Sequence, residues 1–420
     1  MTARPRIFGL HDERTLIQLE DVASRAERAA LMADGHVGYV MPIGGVAAYR
    51  DRVSVVGVGF DIACGNAAIR TDLTTESLLG VGREELDLRP LHITESSVLQ
   101  GLADDLFAEL SFGIGGKNLS DDAPVDDPLF ADDAWEVIPA EGRFRERLME
   151  KARTQLGTIG GGNHYVDVFA DEEGRIWVGV HFGSRGLGHG IASGFLALSQ
   201  GGSWGERARE REVLLDVGEG IGADYWALME LAGRYAYAGR EWVARKVVDM
   251  MGGREVDLVH NHHNFAWRET HGGEDLVVVR KGATPAWPGQ RGFVGGSMGD
   301  DAVILRGARA DTAATPEIQA AALHSTVHGA GRVMGRIAAK GKWKRGRQVK
   351  PGRISHDMMS EWLTRKGVVL RGGDLDEAPQ AYRRLSDVLA AQGPTVVVLH
   401  TLRPLVVCMA PGDTMDPYRD

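Results

Sequence analysis

The stretch GVGFDIACGN, residues 57–66, places an aspartate and a cysteine three positions apart, Asp61 and Cys64, among small or apolar residues. Glycines on both sides allow the backbone to turn and to approach a ligand closely. A carboxylate and a thiol this close together in such a segment are not required for packing. We therefore interpret the stretch as part of a site that uses both groups, and the remaining candidate residues follow the same kind of glycine-rich segment.

The overall composition is that of an ordinary globular protein, with 420 residues of which 43% are hydrophobic and 25% charged. No segment approaches the roughly 18 uncharged apolar residues of a membrane span, and charges interrupt the N-terminal MTARPRIFGLHDERT before any signal-peptide core. The two cysteines, Cys64 and Cys408, are too few for a disulfide framework. We predict a monomeric cytoplasmic protein with reduced thiols and no membrane association, in which Cys408 has a packing role.

The charge is unevenly distributed around a net value of -10, which argues against non-specific nucleic-acid binding by the whole surface. Segment 332–353 holds nine lysines and arginines, no carboxylate and Trp343. We interpret it as a nucleic-acid segment in which the cations follow phosphates and Trp343 stacks on a base; the alternative is a solvated surface. Segment 120–133, SDDAPVDDPLFADD, is predicted to be an acidic mobile loop.

Regular elements of both kinds are indicated along the chain, and no internal repeat or linker divides it. Apolar spacing predicts helices in RFRERLMEKARTQL from Phe144, and from Asp224 to Met251 with Asp224 as N-cap. Alternating or apolar runs predict strands in YVDVFA, RIWVGVHF, DLVVVRK, DAVILRG, TVVVLHT and PLVVCMA. The predicted fold class is α+β (mixed α/β), a single compact catalytic domain over residues 1–420 with glycine-rich loops at the strand ends.

Four histidines lie in these glycine-rich loops: His164, His181, His263 and His328. Together with Asp61 and Cys64 they offer a mixed nitrogen, sulfur and oxygen set, which suits Zn²⁺, Mn²⁺, Fe²⁺ or Co²⁺ better than Mg²⁺ or Ca²⁺. No pair has zinc-finger spacing. The remaining histidines near the motifs are assigned structural or supporting roles: His189, His260, His262, His271 and His324.

The motif HGAGR, which begins at His328, is interpreted as a phosphate site. Gly-Ala-Gly is followed by the helix-competent RVMGRIAAK, so backbone N–H groups and a helix N-terminus are predicted to surround an anion, with Arg332 added. The basic segment 332–353 continues directly from this motif, which favours a function for it over a solvated surface.

Taken together, these motifs resemble the RtcB family of RNA-splicing ligases. The resemblance is carried, in chain order, by DGHVGYVMPIGGVAA, GVGFDIACGN, LGTIGGGNHYVDV, HFGSRGLG, RKGAT with GQRGFVGGSMG, STVHGAGRVMGR and the closing TLRPLVVCM. Several ordered motifs over most of the chain are specific, whereas one glycine motif alone would be weak.

The resemblance implies a catalytic site that holds two Mn²⁺ ions and a nucleotide, GTP in this family. Asp61 and Cys64 match metal ligands, the thiolate contacting both ions, and the shell is completed by His164, His181 and His263. The histidine matching His328 is expected to attack the GTP α-phosphate and carry GMP to an RNA 3′-phosphate. That end can arise from a 2′,3′-cyclic phosphate, and a 5′-hydroxyl then displaces GMP.

Further contacts follow from the same resemblance. Nucleotide-binding residues are expected to be Asn163, Asp167, Asn264, Gly296, Ser297, Met298, Gly329, Ala330 and Gly331. Phosphate or RNA contacts are expected from Lys281, Arg332, Lys342, Lys344 and Arg345. The implied partners are GTP and RNA with the ends named above. Whether an activating protein is also a partner is left open by the resemblance.

Four departures from the family pattern fall on nucleotide contacts. Asp167 stands where the family usually has Glu in NHFxE, Gly295 where it has Pro before Gly-Ser-Met, and Ala302 where it has Ser. The family's C-terminal lysine has no counterpart, because no lysine follows Lys366. We therefore expect intact covalent chemistry with reduced selectivity for guanine.

Two alternatives to the ligase remain open at this point. The first is a metal-dependent cyclic phosphodiesterase or phosphatase, or an end-capping enzyme with altered nucleotide specificity. The second is an inactive RNA-binding paralogue, although such a protein would have no reason to keep the thiolate, the carboxylate and four histidines together. A covalent protein–nucleotide adduct separates the ligase from both.

Overall fold

The computed structural model describes residues 4–88, 94–309, 315–344 and 347–412. Its α-helices, numbered α1 to α12 in chain order, are Glu13–Ala23, Val55–Val58, Thr75–Leu79, Arg83–Leu88, Ser97–Glu109, Phe144–Gln155, Arg185–Ser199, Gly220–Met250, Pro316–Ala321, Arg336–Lys340, His356–Lys366 and Leu385–Gln392. Short 3₁₀ turns occupy Pro128–Ala131, Asp133–Val137, Glu141–Arg143, Leu375–Glu377 and Pro379–Ala381.

The strands of the described ranges are numbered β1 to β19. They are Arg6–Ile7, Arg28–His36, Ile43–Tyr49, Arg52–Ser54, Gly65–Thr74, Tyr165–Ala170, Arg175–Phe182, Leu214–Asp216, Glu255–His262, Asn264–His271, Glu274–Lys281, Ala283–Pro285, Arg291–Val294, Ala302–Gly307, Ser325–Val327, Gly341–Lys344, Arg347–Pro351, Val369–Gly373 and Val396–Pro411. This mixture of strands and helices confirms the predicted mixed α/β class.

Two large sheets form the framework of the molecule. Seven strands of the eight-stranded sheet lie in the order β13-β14-β19-β6-β7-β5-β9. The eighth strand, β18, pairs with β19 as an additional neighbour. The five-stranded sheet has the order β1-β2-β3-β11-β10. Only residue 263 separates β9 from β10. The polypeptide therefore passes directly from an edge strand of the eight-stranded sheet to an edge strand of the five-stranded sheet.

The long helix α8 connects the hydrophobic cores of the two sheets. Its first half, with Tyr225 and Leu228, packs in a core that also contains Ala47 and Val279 of the five-stranded sheet. Its second half, with Val243, packs in the core beneath the eight-stranded sheet and α5. The helix therefore holds the two sheets in a fixed relation under the point where their edges meet.

Most of the predicted elements are confirmed; the start of α8 and the division of the last strand differ. The helix from Phe144 and all of the predicted strand runs are present. However, α8 begins at Gly220 with Glu219 as N-cap, so the prediction that Asp224 caps this helix is wrong. The last two runs form one strand, β19, which bends at an irregularity between Pro404 and Val406 and pairs with β14 and then with β6. Over the described residues, we find no helix with both the length and the apolar character to cross a bilayer.

Candidate active site

Four of the six candidate catalytic and metal-binding residues converge because of how four strands are ordered. β6, β7, β5 and β9 lie side by side and each pair is antiparallel. Since antiparallel neighbours reverse direction, the start of β6, the end of β7, the start of β5 and the end of β9 share one edge. His164 precedes β6, His181 lies near the end of β7, Cys64 precedes β5 and His263 follows β9.

At this edge the Cys64 thiol is the shared centre of two groups of potential metal ligands. Its Sγ lies 3.7 Å from Nε2 of His164 and 3.7 Å from Nε2 of His181. One group consists of Asp61, Cys64 and His164, and the other of Cys64, His181 and His263, with the ligand atoms of each group within 4.8 Å of one another. The arrangement could hold two ions that have the thiolate in common.

The hydrogen bonds of the imidazoles test whether these residues fit a metal. Nδ1 of His181 lies 2.7 Å from the Asn66 side-chain oxygen and Nδ1 of His164 lies 2.9 Å from the Ile159 carbonyl. Nδ1 of His181 therefore carries the proton, and its Nε2 presents a lone pair to the thiol. Nε2 of His164 lies 3.1 Å from the Asp61 carboxylate as well as 3.7 Å from the thiol. In addition, Nδ1 of His263 is buried without a hydrogen-bond partner in the described structure. Imidazole nitrogens, a thiol and a carboxylate that converge in this way fit a borderline-soft divalent cation.

The charge states of the site also suit a cation. Burial opposes ionisation of Asp61, but His164 and Arg185 outweigh it and lower the pKa of this carboxyl to about 2. Burial, with Asp61 beside it, raises the pKa of the Cys64 thiol. Burial likewise lowers the pKa of His181 and of His263, which keeps both imidazoles neutral. A bound cation would deprotonate the thiol, since coordination stabilises the thiolate.

The cluster forms one end of a cavity of about 310 Å³. All of the residues expected to bind the nucleotide line this cavity: Asn163, Asp167, Asn264, Gly296, Ser297, Met298, Gly329, Ala330 and Gly331. His328 and Arg332 line it as well. The structure thus brings the predicted metal, nucleophile and nucleotide residues into one space, although their roles stay predictions.

His328 is oriented by a residue that the sequence analysis did not single out. The buried Asp34 carboxylate lies 2.6 Å from Nδ1 of His328 and accepts from its backbone N–H at 2.9 Å. Burial opposes ionisation of Asp34, but His328 lowers the pKa of the carboxyl. Nδ1–H of His328 therefore donates to a carboxylate, and Nε2 is left as the free nitrogen. Asp34 is the first residue of the motif DGHVG, and its carboxylate was the signal in the sequence that could have identified it.

Arg185 is a second residue that was not singled out. Its guanidinium lies 3.1 Å from Nδ1 of His164, and the backbone of Arg185 has a left-handed φ of 56°. A Cβ at Gly160 would lie 2.1 Å from this guanidinium, so glycine is needed for Arg185 to reach the cluster. Arg185 adds positive charge beside Asp61, although it does not itself line the cavity.

The cavity also holds two buried polar atoms without partners in the described structure. Tyr165 and Asp167 lie on the same face of β6, and the Tyr165 hydroxyl and one Asp167 carboxylate oxygen lack hydrogen bonds to described residues. A Cβ at Gly295 would lie 2.3 Å from the Tyr165 hydroxyl. Gly295 therefore provides space for that hydroxyl, which a proline at this position would occupy.

Two expected residues do not line the cavity. The buried Lys281 amine donates to the Val56 carbonyl at 3.2 Å, beneath the loop before Asp61, and burial lowers the pKa of Lys281 to about 8. Ala302 is buried in a hydrophobic cluster with Phe293. These placements do not support a phosphate contact for Lys281 or a nucleotide contact at position 302. Apolar packing between β14 and β13 explains the alanine.

The predicted helix directly after HGAGR is wrong. Gly331 has a left-handed φ of 71°, and the next helix, α10, begins only at Arg336 after the cap residue Gly335. The Arg332 guanidinium donates to the Tyr382 hydroxyl at 2.7 Å and to the Asp376 carbonyl at 2.6 Å. An anion at His328 would therefore meet loop N–H groups rather than a helix N-terminus.

The cations of the basic segment 332–353 differ in whether they are already paired with carboxylates of this chain. Three cations at its start, Arg332, Arg336 and Lys340, form ion pairs with carboxylates of segment 374–377. Beyond them, β16 and β17 form a hairpin in which Lys342 is exposed. The internal ion pairs leave the hairpin, rather than the whole segment, as the part available to RNA phosphates.

Several predicted RNA contacts lie where the structure describes no side chain. Lys344 and Trp343 belong to β16, but only their backbone is described, and Arg345 lies outside the described residues. Residues 413–420, the part of the chain where the family has its C-terminal lysine, also lie outside the described residues. These contacts stay predictions.

The acidic segment 120–133 is locally structured. Asp127 and Asp132 cap its two 3₁₀ turns, and Asp122 pairs with Lys246 of α8 at 3.0 Å. Phe130 is buried. Asp126 also pairs with Arg153 at 4.0 Å, so four of its six aspartates have structural partners, and its mobility stays a prediction.

Comparison with known proteins agrees with this geometry. The family model described as tRNA-splicing ligase RtcB matches residues 16–410. A tRNA-splicing ligase RtcB of Archaeoglobus fulgidus is 32% identical, with 86% of this chain and 82% of the relative covered. The counterpart of Thermococcus kodakarensis is 30% identical over 90% of this chain and 87% of its own length. The RNA-splicing ligase RtcB of Escherichia coli is 30% identical, with 90% and 89% covered.

The family resemblance predicted from the motifs is therefore confirmed over almost the whole chain, together with the prediction of a ligase. The match includes every segment that contributes to the cavity, from DGHVG to TLRPLVVCM. This chain belongs to the RtcB family of tRNA-splicing ligases.

Proposed function

We propose that this chain is a Mn²⁺-dependent, GTP-activated RNA ligase that works through a histidine–GMP intermediate. It would join RNA ends bearing a 3′-phosphate or 2′,3′-cyclic phosphate to ends bearing a 5′-hydroxyl, as in tRNA splicing or RNA repair. The observation that carries the proposal is that His328, oriented by Asp34, shares one cavity with two groups of metal ligands centred on Cys64.

The metal ions would be held by Asp61, Cys64 and His164 on one side and by Cys64, His181 and His263 on the other. When bound, two divalent cations neutralise charge on phosphate oxygens and hold the attacking and leaving groups in line. The mixed donor set suits Mn²⁺, and it suits Zn²⁺, Fe²⁺ and Co²⁺ equally well, so Mn²⁺ rests on the family.

His328 supplies the nucleophile in the first step. Its Nε2 forms a bond to the GTP α-phosphorus, the bond from that phosphorus to the bridging oxygen breaks, and pyrophosphate leaves. The Nδ1 proton stays on the imidazole, where Asp34 stabilises the positive charge that the ring acquires. A carboxylate that also accepts from two backbone N–H groups cannot easily move, so the ring orientation is preserved.

In the later steps RNA replaces the histidine. An oxygen of the RNA 3′-phosphate attacks the GMP phosphorus, and the bond to Nε2 of His328 breaks. The 5′-hydroxyl of the second RNA end then attacks the activated 3′-phosphate, and GMP leaves. A cyclic end would first be opened by water. The loop residues Ala330 and Gly331, which line the cavity, would meet these anions through their backbone N–H groups, and Arg185 adds positive charge beside Asp61 without lining the cavity.

The test is adduct formation with α-³²P-labelled nucleotide and Mn²⁺, followed by denaturing electrophoresis and mass spectrometry. The wild-type protein is expected to form an acid-labile adduct on His328, and His328→Ala should abolish it without changing metal content. His324→Ala, a change of a histidine outside the cavity, is the matched control. An adduct that persists in His328→Ala, or that maps to a lysine, would refute the mechanism; metal-dependent opening of cyclic phosphates without any adduct would favour a phosphodiesterase.

A further inference from the structure

Arg240 is a fully buried cation that forms no ion pair in the described structure. It lies in the middle of α8 and its side chain bonds only to neutral atoms. Nη1 donates to the carbonyls of Ala63 at 2.9 Å and Phe182 at 2.6 Å. Nε and Nη2 lie 2.9 Å from Nε2 of His260 and 2.8 Å from Nδ1 of His262. Placing an unpaired guanidinium in the interior is costly, which indicates that its geometry is used.

Three of the four bonds end on residues adjacent to candidate metal ligands. Ala63 directly precedes Cys64, Phe182 directly follows His181, and His262 directly precedes His263. These three ligands form one of the two ligand groups, in which the donor atoms lie within 4.8 Å of one another. Cys64 belongs to both groups, but in the described structure no bond of Arg240 reaches a residue adjacent to Asp61 or His164, the two ligands found only in the other group. One planar side chain thus connects the three segments that build a single ion position.

The backbone of Ala63 shows why such a connection is needed. This residue has a φ of 61°, in the left-handed region that residues other than glycine rarely adopt. Its N–H donates to the Asn264 carbonyl at 2.7 Å, and its carbonyl accepts from Arg240. The two bonds hold a strained turn that directs the Cys64 thiol toward the imidazoles.

Aromatic rings pack closely around Arg240. The ring of Tyr237, one helical turn earlier, stacks on His262 with centroids 3.9 Å apart and contacts His260 at 4.0 Å. Since both histidines accept a bond from a guanidinium that is always charged, they are neutral. Arg240 therefore has one defined position relative to the strand ends.

We propose that Arg240 is the positioning residue for the Cys64–His181–His263 ion position, and that the Asp61–Cys64–His164 position forms largely without it. The inference rests on the dinuclear site of the proposed function. It assigns separate structural control to the two ions: the helix that joins the two sheets determines the geometry of one, and the local hydrogen bonds of His164 determine that of the other.

The test is titration of the metal-free full-length protein with Co²⁺, followed by the thiolate-to-metal charge-transfer absorption and elemental analysis. Wild-type protein is expected to bind two ions. Arg240→Lys keeps the charge but loses the planar set of donors, and should weaken one ion about 10- to 100-fold while the other is unchanged. Cys64→Ala, which removes the shared ligand, should lose both.

Arg280→Lys is the matched control, because Arg280 is also fully buried but bonds to Glu269, Ser325 and the Leu323 carbonyl. It should bind both ions as the wild type does. Arg240→Lys with two ions at wild-type affinity, or equal losses in Arg280→Lys, would overturn the inference. If Arg240→Lys does not fold, His262→Gln replaces it, with the same single-ion loss expected and two wild-type ions again overturning the inference. A wild type that binds fewer than two ions would instead refute the dinuclear site itself, and the inference with it.

Discussion

At the scale of single residues, Asp34 controls which nitrogen of His328 faces the cavity. Its carboxylate accepts from Nδ1 and from the backbone of His328, so Nε2 is unprotonated. In Asp34→Asn the amide can donate to Nδ1, which favours the opposite tautomer and places the proton on the attacking nitrogen. We expect adduct formation to slow by about 10²- to 10⁴-fold. The measurement is single-turnover labelling with metal content recorded in parallel.

Asp171→Asn provides the control for this change. Asp171 is also fully buried, but it closes the turn between β6 and β7 and pairs with Arg175 outside the cavity. It should alter stability and leave the labelling rate per folded molecule unchanged. A normal labelling rate in Asp34→Asn would show that another group sets the tautomer of His328.

Nucleotide selectivity is also decided by single side chains. The Tyr165 hydroxyl and an Asp167 oxygen are buried, lack partners in the described structure and line the cavity. Burial raises the pKa of Asp167. A protonated carboxyl can pair with either purine, since it both donates and accepts a hydrogen bond, whereas a carboxylate only accepts. We therefore expect both GTP and ATP to form the adduct, with a preference far below the roughly 10⁴-fold of a site built for one base.

Adduct yield with each of the four nucleoside triphosphates, across a concentration series, measures this preference. Tyr165→Phe should weaken the binding of the preferred nucleotide by about 10-fold, because it removes one buried hydrogen-bonding group. The matched control is Tyr237→Phe, whose ring lies beneath the strands and outside the cavity. Use of GTP alone, saturating at low concentration, would contradict the expected relaxation.

At the scale of secondary-structure elements, the hairpin β16–β17 is the candidate RNA contact. Lys342 and Lys350 pair across it and both are exposed, while Lys340 is held by Asp374 at 2.7 Å. We expect Lys342→Glu with Lys350→Glu to weaken RNA binding and to lower the log–log salt slope by about one unit for each RNA phosphate that the variant no longer neutralises. The measurement is RNA affinity at several salt concentrations.

Adduct formation should survive in this double variant, because neither lysine lines the cavity. Arg254→Glu is the control for a reversed surface charge, since Arg254 is 85% exposed and lies before β9. An unchanged salt slope in the hairpin variant would show that the hairpin is solvated surface that does not contact RNA phosphates.

At the scale of the whole molecule, acid stability is expected to depend on Glu269. Burial opposes its ionisation, but Arg280 and His271 outweigh it and lower the pKa of Glu269 to about 2. An unfolded glutamate titrates near about 4.3, so this carboxylate contributes stability above that pH, on the order of 3 kcal/mol. The contribution is lost as the pH falls from there toward 2.

Urea unfolding of wild type and Glu269→Gln at pH 7 and pH 3 tests this expectation. The variant should be less stable at pH 7, and the difference should shrink at pH 3, where the wild-type carboxylate has lost roughly half of its contribution. Glu274→Gln, a change of an exposed carboxylate on the same hairpin, is the control. Equal destabilisation of Glu269→Gln at both pH values would show that altered packing, rather than charge, is responsible.

Much of the fold and the site was predictable from local patterns. β-type runs such as YVDVFA and RIWVGVHF predicted their strands, because alternation and β-branched residues act over a few positions. Helix ends were less predictable. Asp224 has the right chemistry for a cap, but α8 begins four residues earlier at Gly220, since packing against the strand β8 extends it. Gly331 and Gly335 likewise delayed the helix after HGAGR.

The sequence by itself determined which chemical groups are available: the mixed class, the thiol, the carboxylate, the histidines and the family to which their motifs belong. Only the tertiary structure decided how they are coupled. Asp34 and His328 are 294 positions apart, yet their side chains meet at 2.6 Å, and Arg240 reaches three ligand segments from one helix. Such contacts depend on which strand ends share an edge, and that order follows from the burial of all strands and helices together rather than from any local pattern.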